Sequence, residues 1–168
     1  MSNQLLKTLG KYGGLLGSIV VCQAVGGLGG IWTAKDVREW YPTLEKPSFN
    51  PPNWLFGPVW SLLYALMGAS AWLTWRHADE RAVKHAALQL FSIQFALNSL
   101  WSFIFFRLHS PRWAFFEIVM LWGAIGMTLV AIWKINRLAG MLFLPYLLWT
   151  SFAVLLNFRI WRLNPEQH

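Results

Sequence analysis

Charge is scarce in this sequence. Only 12% of its 168 residues are Asp, Glu, Lys or Arg, about half the share of an ordinary soluble domain, which excludes a water-soluble globule with a solvated charged surface. Cysteine is almost absent: the single Cys22 allows no intramolecular disulfide and no CxxCH haem attachment, and it reads as a small packing residue. His77, His85, His109 and His168 fall in loops, near a helix end or at the terminus. No metal-spaced histidine cluster, paired carboxylates or Ser–His arrangement is present. The expectation is therefore no metal site and no assignable catalytic residue. The GGLGG at 26–30 has no strand before it and no GK[ST] after it, so it is not a phosphate loop.

What the chain has in abundance is apolar length, with 56% hydrophobic residues. A bilayer is crossed by about 20 apolar residues in a helix. Five runs of that order occur, at 12–32, 54–75, 83–106, 113–133 and 138–161. They are too long and too uniformly apolar for barrel strands, and lipid admits only helices or closed barrels. The expected fold class is an all-α integral membrane protein, one domain over 1–168, built as a five-helix bundle with a long first loop at 33–53. The N-terminal run is longer than a usual signal h-region and lacks a convincing cleavage site, so it counts as a span.

The fourteen Lys and Arg residues give a net charge of +7. They sit mostly between and around the spans, where they anchor helix ends and meet anionic lipid, so no nucleic-acid partner is expected. Their distribution does not orient the chain. Lys7, Lys11, Arg76, Arg81, Lys84, Lys134 and Arg137 lie on one side; Lys35, Arg38, Lys46, Arg107, Arg112, Arg159 and Arg162 lie on the other.

Tryptophan is rich, at twelve residues. Trp32, Trp54, Trp75, Trp113, Trp133 and Trp161 stand at span ends, where indoles favour the membrane interface. Others fall on helical stripes of three- and four-residue steps. These are Trp60, Tyr64, Gly68 and Trp72 in the second span, Gln94, Asn98, Trp101 and Phe105 in the third, and Tyr146, Trp149, Ala153 and Leu156 or Asn157 in the fifth. Such stripes can be helix seams with Asn and Gln as interhelical glue. Alternatively, large flat groups opposed by Gly68 and Ala153 leave room for a flat apolar ligand with polar edges. Glu117 is the one acidic residue inside a span: a functional carboxylate, or one that snorkels or pairs with Arg112. Gly13 and Gly17, and Gly26 and Gly30, have the spacing of close helix contacts, within the bundle or across a homodimer.

The first loop is stiffened by proline and rich in aromatics, and loops of its length are usually functional or disordered. It is expected to act as a lid over a cavity between the helices. WYPTLEKPSFNPPNWLFGPVWSLLYALMGASAW at 40–72 closely resembles the signature of the translocator protein, or tryptophan-rich sensory protein, family. QFALNSLWSFIFF at 94–106 and PYLLWTSFAVLLNFRIWRLN at 145–164 resemble that family's third and fifth helices.

The resemblance implies a cavity that binds protoporphyrin IX, haem or related tetrapyrroles as ligand, with no obligatory cofactor. In animal members it implies sterols and drug-like ligands as well. It places Trp60 and Trp149 as pocket tryptophans, lined also by Gln94, Asn98, Tyr146, Ala153 and Leu156, with Phe56 and Trp113 at positions that touch drug ligands. Tyr64 and Trp101 join the site from their stripes. Glu117 falls where members often carry a carboxylate. The animal sterol motif centres on a tyrosine where this chain has Phe158 before Arg159, a departure from it.

Sensing or scavenging of porphyrin is the leading reading, in a bacterial cell envelope. Light- and oxygen-dependent breakdown, with Trp60 or Trp149 as electron donor, is the enzyme-like variant. Transport of porphyrin or another amphiphile is the alternative, though five spans cannot form two equal inverted repeats.

Overall fold

The computed structural model describes residues 2–166, with side chains from Tyr12 onward; His168 and the side chains of Lys7 and Lys11 lie outside the described residues. Five helices follow one another: α1 (Ser2–Glu39), α2 (Asn53–His77), α3 (Arg81–Ser102), α4 (Pro111–Ile135) and α5 (Arg137–Leu163). Each is long and apolar enough to cross a membrane, and no strand occurs among the described residues. The chain is a multi-pass integral membrane protein.

Around the bundle α1 lies against α2, α2 against α5, α5 against α4, and α4 against α3. The ring closes only loosely where α3 comes back to α1 and α2. The core fills the tight side: Leu63 and Met67 of α2, Ile118, Leu121 and Ile125 of α4, and Phe143 and Tyr146 of α5 pack together. Leu16, Val20, Ile31 and Trp32 on α1 and Met120 and Met127 on α4 face outward, as a surface bathed in lipid requires. Trp54, Trp75, Trp113 and Trp133 are exposed near helix ends, where the interface accounts for them.

Capping chemistry sets two of the boundaries. Pro111 opens α4, where its missing N–H costs nothing. Asn136 alone joins α4 to α5: its N–H bonds to Ile132 O at 2.9 Å while its side chain accepts from Ala139 N at 2.9 Å.

Residues 33–39, expected in the first loop, are helical. Asp36, whose charge depresses local hydropathy, is nevertheless buried. His109 Nε2 lies 3.1 Å from its Oδ1 and Arg107 Nη1 4.0 Å from its Oδ2, so the buried carboxylate is paired. His109 also stacks on Trp40 at 4.3 Å and holds a left-handed backbone, φ 52°, which is unusual for a residue with a Cβ. These contacts fasten the end of α1 to the turn between α3 and α4.

The remaining connection, 40–52, is tied to the end of α5. Glu45 N–H donates to Asn164 Oδ1 at 2.9 Å, Asn164 Nδ2 donates back to Glu45 O at 2.9 Å, and Phe49 meets Phe152 edge-on at 6.3 Å. Beyond α3, Phe103–Arg107 form one wide turn in which Leu108 N–H reaches Phe103 O at 3.1 Å. Wide turns of this kind concentrate at functional sites. Here it carries Phe105 into a cluster with Tyr41, Leu44, Leu156 and Ile160.

Candidate functional site

A cavity of about 550 Å³ opens on the loosely closed side, between α1, α2, α3 and α5. Its aromatic wall comes from facing helices: Phe56, Trp60 and Tyr64 of α2, Trp101 of α3, and Trp149 of α5, with Ala153 and Leu156 below. These residues are brought together because each stripe repeats at the helical period. Trp60 stacks on Tyr64 at 5.5 Å, and Phe56 meets Trp149 edge-on at 6.0 Å. Trp101 stacks on Phe105 at 5.2 Å.

Hydrogen bonds fix the rings in place. Trp101 Nε1 donates to Asn157 Oδ1 at 2.9 Å, and Asn157 Nδ2 donates to Pro111 O at 2.8 Å. Tyr64 OH donates to Asn98 Oδ1 at 2.9 Å. The Trp101 indole N–H and the Tyr64 hydroxyl are thereby satisfied, so neither polar group needs a partner from a ligand.

The opposite wall is one that the stripes did not disclose. Gly26, Gly27, Gly29 and Gly30 of α1, with Thr33, Ala34 and Val37, line the cavity. A Cβ at Gly26 would run into the Tyr64 ring. The glycine density at 26–30 was the available signal, and its spacing reads equally well as a helix seam. Tyr41 and Asn53 are the lining residues contributed by 40–53.

Three residues assigned to the site from the sequence lie elsewhere. Gln94 and Tyr146 are buried behind the wall, with Tyr146 edge-on to Trp60 at 6.2 Å. Trp113 is 60% exposed, on the outer surface beside Phe116. Gly68 does not leave room in the cavity either. It faces α1, where its carbonyl accepts from Ser18 Oγ at 2.7 Å and a Cβ would lie 2.6 Å from Ile19 Cα. Phe158, at the departure from the animal sterol motif, packs against Phe115 at 5.3 Å. No group of His, Cys, Asp and Glu that could hold a metal ion occurs among the described residues.

Tyr41 supplies a titratable group at the cavity margin. Its hydroxyl donates to Asn50 Oδ1 at 2.7 Å, and Lys46 Nζ lies 5.1 Å from its ring centre. Burial pushes the phenol up from 10.0 to about 12, partly offset by the bond to Asn50. The folded state therefore prefers the neutral phenol. That contribution is whole below the unfolded value of 10.0 and is lost as pH rises toward about 12. We expect unfolding stability to fall by on the order of 2 kcal/mol across this window, and Tyr41→Phe to remove that share of the fall. Chemical denaturation at a series of alkaline pH values measures it; equal slopes in the two proteins would refute it.

Residues 18–162 match the TspO/MBR family. The chain belongs to that family. It is 42% identical over 147 residues to the tryptophan-rich protein TspO of Chlorobaculum tepidum, covering 88% of this chain and 93% of that protein. It is 40% identical over 148 residues to protein CrtK of Rhodobacter capsulatus, covering 88% and 91%. The translocator protein of Homo sapiens is 41% identical over 129 residues, 75% of each chain. The family match begins at Ser18, the residue that bonds α1 to Gly68, and runs past Ile160 at the base of the cavity.

Proposed function

We propose that the cavity binds a planar tetrapyrrole of the protoporphyrin or haem type, and that the chain acts in the membrane as a sensor or scavenger of such rings. The observation that carries this reading is the shape of the space. Flat rings from Phe56, Trp60, Trp101 and Trp149 and glycines of α1 line one space of about 550 Å³. That volume falls within the range of roughly 300–1,000 Å³ usual for small-molecule sites. A flat macrocycle lies against indole faces with about 0.5–1.5 kcal/mol per aromatic pair beyond burial. The segment 40–52, fastened to α5, serves as the lid, with Tyr41 as its inner face.

The test is titration of protoporphyrin IX into the solubilised protein in the dark. Saturable quenching of tryptophan fluorescence is expected at micromolar ligand, weakened in Trp60→Phe. Trp122→Phe serves as the control, since Trp122 lies on α4 and donates to Ser151 Oγ at 2.8 Å away from the cavity. Quenching without saturation, or equal loss in both variants, would sink the reading. Illumination of the same sample reads breakdown: bleaching of the bound ring that Trp149→Phe slows marks the protein as a participant.

A further inference from the structure

Behind the aromatic wall, and reaching the cavity at Asn98, lies a group of buried polar residues. Gln94 is 0% exposed, Asn98 4%, Glu117 2% and Tyr146 1%. Both carboxylate oxygens of Glu117, both amide atoms of Gln94, Asn98 Nδ2 and Tyr146 OH are buried without a hydrogen-bond partner among the described residues. They come from three helices: Gln94 and Asn98 from α3, Glu117 from α4 and Tyr146 from α5. The Tyr146 hydroxyl is faced by Asn98, Glu117 and Tyr64.

Glu117 neither snorkels nor pairs with Arg112. It is buried, and Arg112 lies over the Trp113 ring at 5.8 Å. Arg107, the cation nearest in sequence on the α3 side, is engaged by Asp36. Glu117 is near the Tyr146 phenol, which Tyr64 and Asn98 also flank, and Gln94 lies one turn before Asn98 on the same face of α3. A carboxylate taken out of water without a cation or hydrogen bonds is heavily penalised. Three side chains without any partner (Gln94, Glu117 and Tyr146) and a fourth, Asn98, bonded only through its Oδ1 are high-stakes in an apolar core. Packing alone would favour apolar residues of similar size here, as at neighbouring Ile118 and Leu121.

We propose that Gln94, Asn98, Glu117 and Tyr146 form a second, intramembrane site that takes an exchangeable proton, carried on Glu117, together with water, and that it is coupled to the cavity through Tyr64 and Asn98. The coupling follows from geometry. Tyr64 and Asn98 line the cavity and share the 2.9 Å bond, while the Asn98 amide turns its other face to Tyr146. A ligand that displaces Tyr64 re-aims Asn98 and changes what Tyr146 offers to Glu117. Protonation forms one O–H bond on the carboxylate from a proton of the bulk. Release returns that proton, so no other reactant is needed. The site itself stands without the porphyrin reading; only its coupling to binding rests on that reading.

Infrared difference spectroscopy of the unliganded protein tests the site. A carboxylic C=O stretch that titrates with bulk pH and shifts in heavy water is expected in the wild type, absent in Glu117→Gln and moved in frequency in Tyr146→Phe. A spectrum with no such band, or a band that persists in Glu117→Gln, overturns the proposal. The coupling is read by calorimetric titration of protoporphyrin IX in two buffers of different ionisation enthalpy. Wild type is expected to show a buffer-dependent heat, and Glu117→Gln to bind with a heat independent of buffer. Buffer-independent heat in wild type overturns the coupling. If protoporphyrin fails to bind at all, the functional reading falls and the infrared result alone decides the site.

Discussion

Replacing Trp149 by alanine is expected to weaken protoporphyrin binding roughly 30-fold, the equivalent of about 2 kcal/mol for a buried aromatic anchor. Trp149 is the α5 member of the aromatic wall. It holds Phe56 edge-on at 6.0 Å and Phe152 at 5.5 Å, so its removal also frees two neighbouring rings. Part of the loss is truncation rather than contact, since Trp149 packs partly against the main core. Trp149→Phe separates the two, because it keeps an aromatic body on α5 and should fall between wild type and alanine. Trp113→Ala is the matching control: its indole is on the outer surface, and binding should not change. Fluorescence titration of the three variants, beside a thermal melt of each, checks the prediction. A Trp149→Ala protein that melts normally and binds normally would refute it.

Gly68→Val is expected to destabilise the fold by about 1–3 kcal/mol, the usual cost of overpacking, and to abolish ligand binding with it. The reason is what a side chain there would meet. A Cβ at Gly68 lies 2.6 Å from Ile19 Cα, 2.9 Å from Ile19 N and 2.9 Å from Ser18 O. All three are backbone atoms of α1, which cannot rotate aside as a flexible side chain would. Helix α1 must move away, taking the Ser18–Gly68 bond and the glycine wall of the cavity with it. Gly27→Ala makes the contrast sharp. A Cβ at Gly27 meets nothing within 4 Å, and alanine favours the helix by roughly 1 kcal/mol, so that variant should melt no lower than wild type. Equal thermal stability of Gly68→Val and wild type would refute the packing argument.

The five spans were legible because the bilayer writes its thickness into the chain as apolar runs, and no compact soluble alternative competes. The aromatic wall was legible for a related reason: periodicity states which residues share a helix face. It does not state what that face meets. Gly68, Trp72 and Trp60 share a stripe, yet Trp60 borders the cavity while Gly68 is pressed against α1. Gln94 and Tyr146 fall on the right faces but one layer too deep, and Trp113 points outward from a helix end.

The end of α1 was hidden for an electrostatic reason. Asp36 reads as loop until His109, seventy-three residues on, supplies its partner. The glycine wall was hidden because the sequence signal for close helix contact and for an open cavity face is the same. Only the neighbouring helix decides between them.

The wide turn at Phe103–Arg107 constrains the chain in a way that substitutions do not probe. One residue fewer there would restore ordinary helical pitch and rotate whatever follows by about 100° relative to what precedes. Phe105 could then stay inward only if Trp101 and Asn98 swung away from the cavity, and the reverse holds as well. Residue count between Asn98 and Pro111 is therefore under tighter control than residue identity. Single deletions in this stretch should be far less tolerated than conservative replacements of any one of its side chains.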